Sequence, residues 1–210
     1  MALDLRNMDC MELMKQFPDK HFDLAIVDPP YGIGANKMKL GNGKKEIYRG
    51  VADWDNEPPK SEYFDELIRV SKEQIVWGGN YFFQLWQTPC RGFIIWDKHT
   101  GDNDYADCEL AWTSFDRVAK IFEKSWVGAN AKDKDGRLHP TQKPIDLYKW
   151  ILKNYAKDGD KILDTHLGSG SIAIACHDYK FDLVGCEIDL GYYNNLMKRV
   201  QNHVAQQSLF

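Results

Sequence analysis

The chain has 210 residues, 43% of them hydrophobic and 28% charged, with a formal net charge of −4. That balance describes one globular domain over residues 1–210, with enough apolar content to bury a core, and it excludes a disordered or fibrous chain. No apolar run approaches the roughly 20 residues of a membrane-spanning helix. The start, Met1-Ala2-Leu3-Asp4-Leu5-Arg6, lacks a basic region followed by an apolar one, so the expected setting is the cytoplasm, with no membrane partner. Five scattered cysteines without a C-x-x-C pair argue against a disulfide framework or a zinc knuckle, and no metal is expected.

In chain order, a short strand is expected at residues 3–7 and a stronger one at 22–27. The second contains the aliphatic run Leu24-Ala25-Ile26-Val27 and stops at Asp28-Pro29-Pro30-Tyr31. Continuous aliphatic character suits a buried parallel strand, and proline stops it because it cannot donate to the sheet ladder. The carboxyl ends of such strands are where open α/β sheets bind ligands. This edge offers a carboxylate, backbone carbonyls and an aromatic plate, a set able to accept hydrogen bonds from an exocyclic amine and to stack on a planar base. The alternative is a proline-rich turn in which Asp28 caps and Tyr31 packs.

The next segment carries Lys37, Lys39, Lys44, Lys45 and Arg49 against the single acid Glu46, with Gly41 and Gly43 between them. It reads as a basic loop able to contact phosphates, or as a solvated surface loop. A helix is expected over 62–71, where Tyr63, Phe64, Leu67, Ile68 and Val70 share a broad face. Strands follow at 74–77, 92–96 and 109–114, with a polar loop at 100–107 and another at 129–139. Trp77, Trp96 and Trp112 fall on these strands, where packing is the default. A second helix is expected over 144–155, opened by Pro144. The remainder reads as a strand at 161–163, a helix at 171–177, a strand at 182–186 and a helix at 192–204. Strands alternating with helices predict a mostly parallel sheet covered by helices on both faces.

Between the strand at 161–163 and the next helix lies Asp164-Thr165-His166-Leu167-Gly168-Ser169-Gly170. Two glycines at i and i+2 let the backbone pass close to a ligand and turn into a helix N-terminus. Ala173 stands where a dinucleotide fingerprint has its third glycine. About 20 residues on, the following strand ends in Glu187, placed to accept from both hydroxyls of a ribose, or simply to cap the next helix.

Asp28-Pro29-Pro30-Tyr31, then His139-Pro-Thr-Gln-Lys-Pro144, then Asp164-x-x-x-Gly168-x-Gly170 resemble, in that order, the motifs of the β-class, S-adenosylmethionine-dependent amino-methyltransferases of DNA. The resemblance covers residues 7 to about 195. It implies a circularly permuted Rossmann-like methyltransferase fold in which strand 182–186 neighbours strand 3–7 and the termini meet. It implies that Asp28, Pro29, Pro30 and Tyr31 hold the target base, with Asp28 also bordering the cofactor. S-Adenosyl-L-methionine is the implied cofactor: Asp9 and Cys10 at its adenine, Asp164, Thr165, His166, Leu167, Gly168, Ser169 and Gly170 along its methionine part, Glu187 at its ribose, and Thr141 and Lys143 at its carboxylate. Two departures from the pattern are Thr165-His166 in place of Pro-Phe and Ser171 in place of threonine. An imidazole at His166 stacks as well as a phenyl ring but brings a charge that varies near neutral pH.

Aspartate at the head of the first motif resembles the adenine-N6 enzymes. Cytosine N4 stays open, as does RNA in place of DNA; a glutamine-modifying protein methyltransferase usually has asparagine there. The different-class alternative is a nucleotide-binding module without turnover; a nicotinamide-dependent oxidoreductase lacks the third glycine. The implied partner is duplex DNA with a flipped base, contacted through residues 32–60 and 97–138. A homodimer and a restriction endonuclease partner, as in restriction–modification, are left open by the residues.

Overall fold

The computed structural model of the chain describes residues 1–34, 55–87, 89–100, 106–125 and 141–207. The basic segment carrying Lys37, Lys39, Lys44, Lys45 and Arg49, together with Trp54 and His139, lies outside the described residues.

Eight strands form one sheet in the order β1 (Leu3–Arg6), β8 (Asp182–Cys186), β7 (Lys161–Asp164), β2 (Phe22–Val27), β3 (Ser71–Trp77), β5 (Cys108–Thr113), β4 (Phe93–Asp97) and β6 (Lys120–Glu123). The first five run parallel to one another. β5 is antiparallel to β3 and to β4, and β4 pairs in parallel with β6. The sheet is therefore mostly parallel, as the strand–helix alternation predicts. β6 is an addition: its Lys-Ile-Phe-Glu run is too short and too exposed to announce itself as a strand.

Helices cover both faces because alternate residues of the central strands are apolar in both directions. Leu24 and Ile26 of β2 join the cluster formed with α3 (Ile145–Tyr155), α4 (Ser171–Tyr179) and α5 (Leu190–Gln207). Ala25 and Val27 join the opposite cluster, with α1 (Cys10–Met14) and α2 (Ser61–Val70). Trp77 and Trp96 are completely buried in the first cluster. α1 has no periodic signature at five residues; Asp9 makes it, its Oδ1 accepting from the amides of Met11 (2.8 Å) and Glu12 (3.1 Å) as an N-cap. Arg69, in the last turn of α2, donates to the carbonyls of Met14 and Phe17 and so ties α1 to α2.

The first and last strands meet in the sheet. Leu3 to Arg6 pair with Leu183 to Cys186, and the Ala2 amide donates to Asp182 Oδ1 at 2.6 Å. The permuted arrangement expected from the motif order is what the strands adopt. Its consequence for the site is geometric. Parallel β1, β8, β7 and β2 deliver Asp9, Glu187, Asp164 and Asp28 to one edge, and antiparallel β5 begins at that same edge with Cys108 and Glu109.

Close packing behind the edge fixes the Gly-containing turn after β7. A Cβ on Gly185 would lie 2.7 Å from Leu167 Cδ2 and 2.9 Å from the Asp164 carbonyl oxygen. Gly185→Ala is expected to cost about 1–3 kcal/mol through overpacking, read as a lowered midpoint in urea unfolding.

Candidate active site

Asp28 follows β2 directly, and its carboxylate is engaged on both oxygens. Tyr31 Oη donates to Oδ1 at 2.6 Å, and Lys143 Nζ donates to Oδ2 at 2.5 Å. The backbone amides of Tyr31 and Gly32 are in turn held by Asp55 Oδ1 at 2.7 and 3.0 Å, which fixes the turn after Pro30. Burial raises the Asp28 carboxyl above the ordinary range, opposed by the Lys143 charge.

Lys143 is the centre of a longer ionic chain. Its ammonium, 3.1 Å from Glu109 Oε2, makes a charge contact there that lacks the alignment of a hydrogen bond. Glu109 Oε1 is 2.5 Å from Lys98 Nζ. The ammonium also lies 5.2 Å from the Trp77 ring centre, within cation–π range. Burial opposes charge on both groups, but the neighbours prevail: two lysines hold the Glu109 carboxyl below its usual range, and Asp28 with Glu109 hold Lys143 above its own. Lys143, expected at a ligand carboxylate, thus gives its ammonium to two carboxylates of the protein itself.

Tyr31 differs from expectation in a similar way. Its ring stacks on Tyr81, with centroids 5.0 Å apart and planes 15° apart. The strand-to-turn junction after β3 permits this: Gly78 has φ +68°, and a Cβ there would lie 2.2 Å from Tyr31 Cε1.

On the neighbouring strands, the turn after β7 is built from its own backbone. Leu167 N donates to the Cys186 carbonyl and Gly170 N to the Leu167 carbonyl. Gly168 (φ +51°) and Gly170 (φ +75°) occupy the left-handed region that glycine tolerates. The Glu187 carboxylate accepts from Gly168 N at 2.9 Å and from Asp189 N at 2.9 Å, so it braces the turn as well as ending β8. Each carboxylate oxygen keeps a second lone pair for a ligand hydroxyl. Ser169 gives its carbonyl to Arg199 Nη1 at 3.0 Å, so α5 also holds the turn.

Asp164 is nearly completely buried and accepts from the His166 amide at 2.9 Å. Burial is the first cause that raises its carboxyl to about 8, and Asp28 and Glu187 add to it. Thr165 Oγ1 lies 2.6 Å from Tyr63 Oη and 2.9 Å from His166 Nδ1. Burial pushes His166 down to about 4, so its ring is neutral near neutral pH; the variable charge expected from the sequence does not arise. The Leu167 side chain, 4% exposed, belongs to the hydrophobic core. Cys10 opens α1, with its thiol pushed up to about 11 by burial. Thr141 and Lys143 precede α3 and reach the edge from the other side of the sequence.

Four contributors were not foreseen. Glu109 meets Lys143 because β5 lies antiparallel between β3 and β4, and Lys98 meets Glu109 across the β4–β5 pairing, neither of which has a local pattern. Tyr63 was read as part of an apolar helix face; its phenol is a polar tip on a buried ring, a combination that calls for a partner. Tyr81 had a weak signal, an aromatic two residues after Gly78-Gly79.

A parallel sheet with acidic side chains and a glycine turn at the carboxyl ends of adjacent strands is a Rossmann-like arrangement able to hold a nucleoside cofactor. The comparisons agree. A family model for the N6/N4 enzymes, described as DNA methylase, matches residues 96–198. Type II methyltransferase M1.MboII of Moraxella bovis is 22% identical, over 90% of this chain and 93% of its own length. Type II methyltransferase M2.DpnII of Streptococcus pneumoniae is 23% identical, over 94% of this chain and 89% of its own. Among solved structures, M1.HpyAVI in complex with S-adenosylmethionine superposes with a TM-score of 0.61 at 18% identity, covering 95% of this chain and 99% of that one. PvuII DNA methyltransferase, a cytosine-N4-specific enzyme, gives 0.59 at 12% identity, over 98% and 92% of the two chains. By these comparisons the chain is similar to DNA methyltransferases of the N6/N4 kind, and one structural neighbour was solved with S-adenosylmethionine.

Because Asp164 holds its proton more tightly folded than unfolded, the folded chain binds more protons between about pH 4 and pH 8. Stability from this group is therefore lost as pH rises through that window. Asp164→Asn is expected to flatten the fall, seen as a smaller difference between urea midpoints at about pH 5 and about pH 8 than in the unsubstituted chain.

Proposed function

We propose that the chain transfers a methyl group from S-adenosylmethionine to the exocyclic N6 amine of adenine in DNA, with the base turned out of the duplex. The observation that carries this reading is the carboxylate of Asp28 at the end of a central strand, one strand away from Asp164 and the Gly168–Gly170 turn. Aspartate heading the Pro-Pro-Tyr motif favours adenine. The name of the cytosine-N4-specific structural neighbour keeps cytosine N4 as the second reading.

S-Adenosylmethionine, when bound, supplies an electrophilic methyl group on a sulfonium. The role of the chain is to hold the amine against it. An exocyclic amine is a poor nucleophile because its lone pair is delocalised into the ring. Asp28 and the Pro29 carbonyl accept its two N–H groups, so the nitrogen rehybridises and aims its lone pair at the methyl carbon. Tyr31 Oη and Lys143 take one lone pair on each Asp28 oxygen, and a carboxylate has about four acceptor sites, which leaves room for the amine. As the C–N bond forms and the C–S bond breaks, the amine becomes cationic and Asp28 is placed to take its surplus proton. Alignment of this kind can supply about 7–11 kcal/mol. A neutral His166 stacks beside the cofactor without repelling its cation, and Glu187 receives the ribose.

Asp9 and Cys10 are assigned to the adenine end. Asp9 Oδ1 already caps α1, so its Oδ2 is the acceptor in this assignment. The segments 32–60 and 97–138 contact the duplex, with Lys37, Lys39, Lys44, Lys45 and Arg49 on its phosphates. The Type II names of the relatives favour a place in restriction–modification beside an endonuclease of the same specificity, and the family resemblance favours a homodimer.

The test is transfer of label from tritiated S-adenosylmethionine to unmethylated duplex DNA, followed by digestion to nucleosides. Label in N6-methyl-2′-deoxyadenosine is the expected result, label in N4-methyl-2′-deoxycytidine selects the second reading, and no label in DNA refutes both. Asp28→Ala is expected to lose transfer while binding S-adenosylmethionine within about fivefold of the unsubstituted chain; parallel loss of binding by calorimetry would remove Asp28 from the base site and assign it to the cofactor.

A further inference from the structure

We propose that Tyr81 is the outer wall of the base cleft, so that the flipped base inserts between the rings of Tyr31 and Tyr81. The proposal rests on the amino-methyltransferase reading and adds a residue that touches the substrate.

The two rings face each other as a stacked pair. They lie within 15° of parallel at 5.0 Å, and they differ in how firmly they are held. The inner ring is anchored through its hydroxyl, which donates to Asp28 Oδ1, and its edge is pressed against the Gly78 backbone. The outer ring is 46% exposed.

The backbone that carries Tyr81 is nonetheless fixed. The short 3-10 turn Gly79–Tyr81 is closed by Tyr81 N donating to the Gly78 carbonyl at 2.8 Å. Trp86 Nε1 donates to the Gly79 carbonyl at 2.7 Å, and a Cβ on Gly79 would lie 2.5 Å from Trp112 Cβ. A rigid turn bearing an exposed ring allows the side chain to swing while its root stays in place. The rings need to part by on the order of 2 Å to admit a planar base.

The chemistry matches the position. The inner ring leads, through its own hydroxyl, to the carboxylate proposed to receive the amine. A base stacked on that ring puts its edge at Asp28 and leaves its other face open to water. Among the described residues Tyr81 is the ring stacked on Tyr31. Stacking on both faces selects for a flat ring and is indifferent to which base enters, so Tyr81 contributes to holding the base while Asp28 reads its amine.

The measurement is the rate of methyl transfer to unmethylated plasmid DNA by Tyr81→Ala and Tyr81→Phe, with S-adenosylmethionine affinity determined separately by calorimetry. Tyr81→Ala is expected to raise KM for DNA about ten- to hundredfold. Tyr81→Phe, which keeps the ring, is expected within about twofold of the unsubstituted chain, and cofactor affinity is expected to hold in both. An unchanged KM in Tyr81→Ala overturns the proposal. So does Tyr81→Phe failing as badly as Tyr81→Ala, which would assign the effect to the hydroxyl, or a loss of cofactor affinity, which would make the role structural. If the unsubstituted chain transfers no methyl to DNA, the reading beneath the proposal falls, and the proposal falls with it.

Discussion

The site is organised by one buried ammonium. Parallel strands bring carboxylates to a common edge because each strand ends there, and this sheet collects Asp9, Asp28, Asp164 and Glu187, with Glu109 added by antiparallel β5. Burial is the first cause that raises the Asp28, Asp164 and Glu187 carboxyls, and neighbouring carboxylates add to it. Lys143, with its side chain 1% exposed, meets Asp28 at 2.5 Å and Glu109 at 3.1 Å. Without it, the Asp28 and Glu109 carboxylates would face each other unpaired on that side. Lys98 closes the chain on the far side, so four formal charges cancel.

This arrangement limits the negative charge at the edge, of which a folded core tolerates little. The lysines neutralise the half of the edge assigned to the base. The half assigned to the cofactor sets Glu187 near Asp164, which keeps its proton to about pH 8, so carboxyl groups gather there with little negative charge near neutral pH. Backbone amides contribute where no cation is placed: Glu187 is satisfied by Gly168 and Asp189, and Asp164 by His166.

Much of this was legible in the sequence, and the part that was not has a common cause. β2, β7 and β8 follow from short aliphatic runs with sharp stops, and the Asp28 and Gly168–Gly170 motifs sit at those stops. Local pattern suffices there because a parallel strand buried on both faces is uniformly apolar. α1 was missed because its origin is a single cap, and β6 because an edge strand need not be apolar. The partners of Lys143 were missed for a different reason: which carboxylate an ammonium meets depends on β5 lying antiparallel between β3 and β4. Leu167 shows another limit. Its side chain folds back onto Gly185 and into the core, a packing that the sequence of the turn does not announce.

The pairing of β1 with β8 has a bearing on how the chain acquires its shape. Leu3 finds its sheet partner in Leu183, and the contact between Ala2 and Asp182 spans 180 positions. Closing so long a loop delays the strand relative to contacts between near neighbours. During synthesis β1 leaves the ribosome first and must wait for β8 before it has a ladder to join. α1 and the Asp9 cap follow directly from β1, so the corner assigned to the adenine of the cofactor is completed late, after the central strands have found one another. A nascent chain stalled before residue 182 would carry the Asp28 motif and the glycine turn but no paired first strand.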